Sequence, residues 1–385
     1  MISNSRPADY YPSLDGLRFV CCSVVVLGHS ILGNPRWNNP ALSISRMGVD
    51  IFFSLSGFLI TSLLLREKVE YGSVSLFNFY MRRTLRIWPV YYTALFINLA
   101  LLGFLGQRYL QMFGSDATSL PLGKLSLTYL LFLGNWIIYT VPTTMALMWS
   151  ICVEEQFYIL FPVMFVFSRR KYPVLLPAGI GLAVCIGSRA LLAARLPEHT
   201  VYVNTITHGD NLLIGALLAQ LFNSFPSAIA KIVAKGGFLI EAVLFFGMPV
   251  YYAVLSSLAL GPAAVTLTYF LSAILSTALV MVIGFGNGPI ARILGWKLPV
   301  YLGGLTYAGY MFHEFAVGAS WVVVRKLVHD PYSASLLRWV VAVPMTFLLA
   351  YLIRITFEAR ILKLKNRFAP AVRSIERLKA AAGTP

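Results

Sequence analysis

The chain has 385 residues, of which 58% are hydrophobic and only 12% are charged. Soluble domains carry roughly 25% charged residues, so this composition excludes an ordinary soluble protein. Repeated apolar stretches of about 20 residues instead predict an all-α, polytopic bundle of membrane-spanning helices. The 31 basic and 15 acidic residues give a net charge of +16, whose meaning depends on where the charges fall.

The apolar stretches extend through most of the chain. We expect one transmembrane domain over residues 1–360 and a basic cytoplasmic tail over residues 361–385, lying at the membrane interface. The polar first 13 residues lack the features of a cleaved signal peptide, so the first apolar segment is expected to remain as an anchor. All four cysteines lie in apolar stretches, which favours buried core residues over disulfides or metal ligands.

Segment length and hydrophobic periodicity predict about ten spanning helices. The segment 125–140 is apolar but short, so it is expected to belong to the loop before the fourth span. The predicted spans cover about 14–33, 48–66, 87–106, 147–168, 173–194, 209–224, 236–257, 263–285, 300–324 and 338–359.

Lysine and arginine are distributed unevenly between the two sides that these spans define. With a cytoplasmic N-terminus, the inside segments hold 20 basic residues and the outside segments hold 8, with 3 more inside spans. Cytoplasmic segments of membrane proteins carry this excess, so both termini are expected to be cytoplasmic. The positive charge then sets topology and contacts anionic membrane lipids, and a nucleic-acid partner is unnecessary to explain it.

The first span, LDGLRFVCCSVVVLGHS, carries ionisable residues at both ends. Ser13 is expected to cap the helix, and Asp15 precedes Arg18 by three residues, which suits an ion pair. Eleven residues separate Arg18 from His29, about 20° beyond three full turns, so both face the same direction. Arg18 extends to the headgroups in one interpretation. A histidine within a span is a functional candidate, although a buried hydrogen bond also accounts for His29.

Two further motifs lie near the ends of spans. Asp50 opens the second span in MGVDIFFSLSGFLIT, where it either caps the helix or contacts a substrate. The small residues of that stretch, including Gly57, favour close helix packing. Arg83 and Arg86 form an i, i+3 pair in YMRRTLRIWPVYY, before the third span. Spacing alone makes them topology signals, and the functional alternative is a phosphate site, because guanidinium groups suit phosphates.

The fourth span contains two adjacent carboxylates, Glu154 and Glu155, in WSICVEEQFYILFP. Adjacent side chains on a helix point about 100° apart, so one carboxylate faces the bundle while the other takes a different partner. Carboxylates inside a membrane are costly, which favours function over structural pairing with arginine. Span order places Glu154 in the outer half of the membrane, at a depth similar to that of His29.

Two motifs follow in the C-terminal half. THGDNLLIGALLA places His208 and Asp210 at the outer mouth of the sixth span, where either residue is a helix cap or a substrate contact. GGLTYAGYMFHEF in the ninth span carries Tyr310 and His313, with Glu314 adjacent. Residues three apart share a helix face, so this motif predicts a polar stripe within the membrane.

These stretches resemble the acyltransferase-3 family of membrane acyltransferases over nearly the whole chain. The most specific matches are the Arg18-to-His29 spacing, FFSLSGFLIT, the RxxR of Arg83 and Arg86, WSICVEEQFY and LTYAGYMFH. The resemblance implies a ten-helix enzyme of the bacterial inner membrane. Such enzymes move acyl groups, commonly acetyl from acetyl-CoA, onto sugar hydroxyls of glycans, glycolipids or related acceptors.

The resemblance also implies roles for individual residues. His29 matches the essential histidine of the family and Arg18 its motif partner. Arg83 and Arg86 match the pair associated with acyl-CoA, and Glu154 matches the family's glutamate. The chain departs from the usual pattern at three positions, which are Ser54, Thr306 and His208.

The sequence therefore predicts a membrane O-acyltransferase that takes its acyl group from cytosolic acyl-CoA, bound by Arg18, Arg83 and Arg86. Neutral His29 is expected to take the hydroxyl proton as a general base, and Glu154 to orient the imidazole or stabilise its charged form. No metal is expected. The residues expected to bind the acceptor are Asp50, Asp210, Tyr310 and His313.

Two other classes of protein stay open at this point. A proton-coupled secondary transporter would use the same histidine and glutamate as a relay, but the chain lacks a recognisable inverted repeat or paired broken helices. A noncatalytic scaffold would leave the intramembrane ionisable residues unexplained. Turnover of acyl-CoA by the purified protein separates the enzyme from both alternatives.

Overall fold

The computed structural model describes residues 10–31, 38–106, 108–109, 121–137, 143–168, 171–258 and 260–368. Regular secondary structure within these ranges is entirely helical, which confirms the all-α class. The predicted tail is helical as far as residue 368, and the remainder lies outside the described residues.

The N-terminal half alternates long helices with short helical segments. A 3₁₀ turn at Gly134–Trp136 follows the fourth helix. The helices are α1 (Pro12–Ser30), α2 (Asn38–Tyr71), α3 (Leu76–Leu105), α4 (Leu122–Leu130), α5 (Thr143–Ala146), α6 (Trp149–Phe167) and α7 (Leu175–Leu192).

The C-terminal half also alternates long helices with short helical segments. A π-helical segment at Arg354–Glu358 joins the last two helices, and a 3₁₀ turn at Lys365–Phe368 follows them. The helices are α8 (Glu198–Val203), α9 (Thr205–His208), α10 (Asp210–Ser224), α11 (Pro226–Ser256), α12 (Pro262–Phe285), α13 (Pro289–Leu294), α14 (Lys297–Gly303), α15 (Thr306–Val324), α16 (Pro331–Ile353) and α17 (Ala359–Leu364).

Eight helical segments of the described chain are long and apolar enough to cross a membrane. They correspond to eight of the predicted spans, and α10 and α15 occupy the positions of the other two. Helix α10 has only 15 residues, and α15 carries His313 and Glu314, which lower its hydropathy. The chain is therefore a multi-pass membrane protein with the predicted helical bundle.

Several helices extend beyond the predicted spans. Helix α2 begins at residue 38 rather than 48, and α3 begins at residue 76 rather than 87. Hydropathy marks only the part of a helix inside the hydrocarbon, whereas backbone hydrogen bonding continues through its polar ends. Arg83 and Arg86 consequently lie on α3 itself, which fixes their side chains on one helix face. Of the segment 125–140, residues 125–137 are described and form helical structures too short to span, as predicted, whereas residues 138–140 lie outside the described residues.

The start of α1 differs from the prediction. Ser13 does not cap the helix, because α1 already begins at Pro12, whose missing N–H suits a first turn. The Ser13 hydroxyl instead donates to the carbonyl oxygen of Ile283 at 2.7 Å and ties α1 to α12.

Helix α2 lies at the centre of the bundle and packs closely on α10 and α1. The contact with α10 is made through glycines, as the small-residue pattern predicted. A Cβ atom on Gly57 would overlap the carbonyl oxygen of Leu212, and one on Gly215 would overlap that of Ser54. This close approach fixes the face of α2 that borders the site described next.

Candidate active site

A cavity of about 940 Å³ lies between α1, α2, α3, α6, α15 and the C-terminal segment. Small-molecule sites have volumes of roughly 300–1,000 Å³, so this cavity accommodates a large ligand. Six basic side chains and three carboxylates line it together with apolar and aromatic groups. The charged residues are Asp15, Arg18, Arg66, Arg83, Arg86, Glu154, Arg354, Glu358 and Lys365.

The three predicted arginines meet in this cavity. Arg18 forms the expected ion pair with Asp15 at 2.5 Å. Arg83 and Arg86 have no carboxylate within ion-pair distance among the described residues. The Arg83 guanidinium lies 5.9 Å from the ring centre of Tyr158. The cavity therefore holds positive charge that its own side chains leave unbalanced.

Two cavity residues come from the C-terminal part of the chain, Arg354 from the predicted last span and Lys365 from the predicted basic tail. Arg354 donates to the carbonyl oxygen of Gly304 at 2.7 Å. Burial, together with Arg86 and Arg83, lowers the pKa of Lys365 from its ordinary 10.5 to about 8. The sequence contains no signal of a cavity role, because a basic residue near the predicted cytoplasmic end of a span or in a basic tail equally suits a topology charge.

Glu154 faces this cavity. The Tyr158 hydroxyl donates to its carboxylate at 3.1 Å and also contacts the hydroxyl of Ser56. Glu154 therefore shares the cavity with Arg18 and Arg83. The adjacent Glu155 points elsewhere and accepts a hydrogen bond from the indole of Trp88 at 3.1 Å.

Tyr310 bounds the end of the cavity that lies deepest in the bundle, which is its inner end. Its hydroxyl is hydrogen-bonded to the hydroxyl of Ser150 at 2.7 Å and lies 3.3 Å from the carbonyl oxygen of Leu147. The ring centre of Tyr310 lies 5.6 Å from that of His313. Tyr310 thus stands between the cavity and a histidine cluster that does not line it.

That cluster consists of His29, His313 and Glu314. The ring centres of the two histidines are 4.8 Å apart, and His29 Nε2 lies 3.5 Å from the Glu314 carboxylate. Each Nδ1 bonds a backbone carbonyl oxygen of its own helix, that of Val25 for His29 and that of Tyr310 for His313. The three groups are proton acceptors and also suit a divalent metal ion by donor type.

The carboxylate that faces His29 is therefore that of Glu314 on α15, whereas Glu154 lies in the cavity. The sequence showed Glu314 beside His313 but offered no reason to pair it with His29. Such a reason requires the packing of α1 against α15, which the structure supplies.

Asp50 and Asp210 occupy buried networks that do not line the cavity. Asp50 bonds His208 Nε2 and the Tyr202 hydroxyl, each at 3.0 Å, and also contacts the hydroxyl of Tyr252. The structure thus places His208, whose role the sequence left open, as the partner of Asp50.

Asp210 bonds Arg189 at 2.6 Å, and both side chains are fully buried. Arg189 also donates to the carbonyl oxygen of Thr207 at 2.7 Å. The side chain of Asp210 does not cap its helix, although the residue stands at the start of α10. The acceptor contacts predicted for Asp50, Asp210, Tyr310 and His313 all stay predictions. Of the four residues, Tyr310 and His313 lie at the junction between cavity and cluster.

Comparison with known proteins gives a family for this architecture. Residues 11–355 match the acyltransferase-3 model, described as an acyltransferase domain. A protein of Staphylococcus aureus (strain COL), named as a candidate O-acetyltransferase, is 26% identical over 337 residues, covering 80% of this chain and 50% of that protein.

Two further relatives carry more specific names. A Bacillus subtilis protein named as a candidate peptidoglycan O-acetyltransferase, YrhL, is 28% identical over 79% of this chain and 48% of its own length. The peptidoglycan O-acetyltransferase OatA of Listeria monocytogenes is 30% identical over 58% of this chain and 36% of its own length.

This chain thus spans half or less of the length of these curated relatives. No solved structure matches it. The match to the family model nevertheless covers nearly all of the described bundle, including the cavity as far as Arg354 and the whole histidine cluster. The chain belongs to the acyltransferase-3 family of membrane acyltransferase domains.

Proposed function

We propose that the protein is a membrane O-acyltransferase that moves an acyl group, with acetyl the first candidate, from acyl-CoA to a hydroxyl of a glycan. The observation that carries this proposal is the cation-rich cavity whose inner end meets Tyr310, beside the cluster of His29, His313 and Glu314. The family supports the reaction class, the cavity supports the donor, and the cluster supports a proton acceptor.

The charge and size of the cavity favour CoA as the donor. CoA carries several phosphate charges, and the six basic side chains of the cavity exceed its three carboxylates. Guanidinium groups form paired hydrogen bonds to phosphate oxygens, so Arg18, Arg83 and Arg86 are suited to this role. The pantetheine arm then extends between the apolar walls toward Tyr310, which brings the thioester to the inner end of the cavity.

The reaction requires one proton acceptor. The oxygen of the sugar hydroxyl attacks the thioester carbonyl carbon while its proton passes to Nε2 of His29. The carbon–sulfur bond then breaks, and the departing CoA sulfur takes that proton from His29 and leaves as a thiol. Tyr310 separates the cavity from His29, so its side chain moves aside as the thioester arrives.

The acceptor is proposed from chemistry and from the relatives together. Relatives named for peptidoglycan O-acetylation favour a cell-wall sugar, and we place acceptor binding on the outer side of the bacterial inner membrane. The excess of basic residues on the predicted inner side favours a cytosolic donor. The transporter alternative has no support from the family or from the relatives.

The direct test is an acyl-transfer assay with purified protein in lipid nanodiscs. Radiolabelled acetyl-CoA is supplied together with a panel of peptidoglycan fragments and other glycans. We expect label in at least one glycan and release of the CoA thiol. Absence of turnover of every acyl-CoA tested, by protein that remains folded, would contradict the proposed function.

A paired substitution tests the donor site. Arg83→Ala with Arg86→Ala is expected to raise KM for acetyl-CoA by roughly 10-fold or more, because hydrogen bonds to charged groups are lost. The KM for the glycan should change little. Arg292→Ala is the matched control, since Arg292 is exposed and does not line the cavity. An unchanged donor KM in the double variant would reduce the pair to topology signals.

A further inference from the structure

The atoms that face one another in the histidine cluster are all acceptors. Nδ1 of His29 lies 2.9 Å from the carbonyl oxygen of Val25, and Nδ1 of His313 lies 2.7 Å from that of Tyr310. Because a carbonyl oxygen only accepts hydrogen bonds, both Nδ1 atoms carry the ring proton in the neutral state. Both Nε2 atoms therefore present lone pairs beside the carboxylate of Glu314.

This arrangement favours an added positive charge. The ligating atoms of the three residues lie within 4.8 Å of one another. His313 is fully buried, and its Nε2 has no hydrogen-bond partner in the part of the chain that the structure describes. Electron-rich atoms in a buried site repel one another with little screening by water. A proton or a cation held between them removes that repulsion.

We propose that Glu314 is a positioning residue for acyl transfer, whose carboxylate stabilises the imidazolium that forms at His29. This inference rests on the proposed function. The separation of 3.5 Å between Nε2 and the carboxylate exceeds the 2.7–3.2 Å usual for an N–H···O bond. The lone pair of His29 is therefore not committed to Glu314 and stays available to the acceptor hydroxyl.

Glu314 acts after the proton has moved. Once Nε2 of His29 takes the hydroxyl proton, a positive ring faces a carboxylate at short range, where the attraction is strong because little water intervenes. The proton then passes to the departing sulfur, and the cluster returns to its starting charge. Nε2 of His313 is a second acceptor for the same N–H. The carboxylate lowers the energy of the intermediate state without taking a net proton.

The test compares charge with shape at position 314. Glu314→Gln keeps the size of the side chain and removes its charge, whereas Glu314→Asp keeps the charge and shortens the side chain. A charge role predicts turnover in the order Glu, Asp, Gln, with kcat of the Gln variant lowered roughly 10- to 10²-fold. The donor KM should stay near the wild-type value in both variants. A packing role predicts the order Glu, Gln, Asp, because Gln fills the site better than Asp.

A buried carboxylate elsewhere provides the matched control. Glu241 is buried and accepts a hydrogen bond from the backbone N–H of Ala291. Glu241→Gln is expected to lower protein yield while leaving kcat and donor KM of the purified protein unchanged. A double variant keeps the proposal testable if one single variant accumulates poorly. In a His29→Gln background, Glu314→Gln should cost little more, since the two residues act as a unit.

Three outcomes would overturn the inference. They are turnover of the Gln variant equal to or above that of the Asp variant, full additivity in the double variant, and a stoichiometric divalent metal lost on both His313→Ala and Glu314→Gln. The third result would assign the lone pairs to metal binding. A wild-type protein without acyl-CoA turnover would instead contradict the proposed function itself.

Discussion

Arg18 and His29 share one face of α1 and occupy two different sites in the structure. Arg18 lines the cavity, and His29 lies in the cluster beyond Tyr310. The pairing of Arg18 with Asp15 was predictable, because residues three apart on a helix always lie close. The pairing of His29 with Glu314 depends on the packing of two helices distant in sequence, so no spacing encodes it.

The contacts of Lys365, at the other end of the cavity, were likewise not predictable from the sequence. The sequence placed it in a basic tail, but the fold returns the segment after α17 to the arginines of α3. Burial and the positive charges of Arg86, Arg83 and Arg82 lower the pKa of Lys365 to about 8. We infer that Lys365 is available to a phosphate of the donor.

The rate of acyl transfer at limiting acetyl-CoA should therefore depend on pH. Lys365 of the free protein is charged below pH 8 and loses its charge as pH rises through that value. We expect kcat/KM for acetyl-CoA, which reports the free enzyme, to fall between pH 7 and pH 9. Lys365→Arg should abolish that fall, because arginine stays charged. Identical pH profiles for the wild type and Lys365→Arg would remove Lys365 from the donor site.

Among the elements, α2 and α3 were correctly predicted to be helices, but the predicted spans are shorter than the helices. Hydropathy located the segments inside the hydrocarbon but missed the polar helical extensions, including the one that carries Arg83 and Arg86. Close packing of α2 on a neighbouring helix was predictable from Gly57, because glycine at a helix contact permits close backbone approach. The partner, α10, was not predictable, because small residues do not identify the helix that they approach.

Substitution of Gly57 should destabilise this contact. Gly57→Ala places a methyl group against the carbonyl oxygen of Leu212, and overpacking of this kind typically costs about 1–3 kcal/mol. Thermal unfolding of purified protein in detergent measures the effect as a lower Tm. Gly187→Ala on α7 is the matched control, since a Cβ there meets no atom within 4 Å. Equal Tm values for both variants would contradict the close packing of α2 on α10.

For the whole molecule, composition and charge predicted the membrane class and the helical bundle correctly. The motifs predicted which residues are special, and the structure then separated them into a cavity with Arg18, Arg83 and Arg86 and a cluster around His29. The cavity was not predictable as a space, because its walls come from helices far apart in sequence. The cytoplasmic position of both termini stays a prediction from the distribution of basic residues.

A labelling experiment tests that topology. The described native cysteines are all buried, so their background labelling in cells should be low. Ala380→Cys is expected to resist an impermeant thiol reagent in intact cells and to react after permeabilisation. Ser333→Cys, at an exposed position on the predicted outer side, should react in intact cells. The reverse pattern would invert the orientation and place the cation-rich cavity on the wrong side for a cytosolic donor.

The central claim is that the cavity binds the donor and that His29 performs the proton transfer beyond it. Transfer of labelled acetyl from acetyl-CoA to a glycan by the His29→Gln protein, at saturating donor, tests this claim most directly. Glutamine keeps polarity and approximate size but cannot take a proton, and loss of a general base typically lowers the rate about 10²–10⁴-fold. The account predicts a loss of that size with donor affinity unchanged. Near-normal transfer by His29→Gln would contradict it.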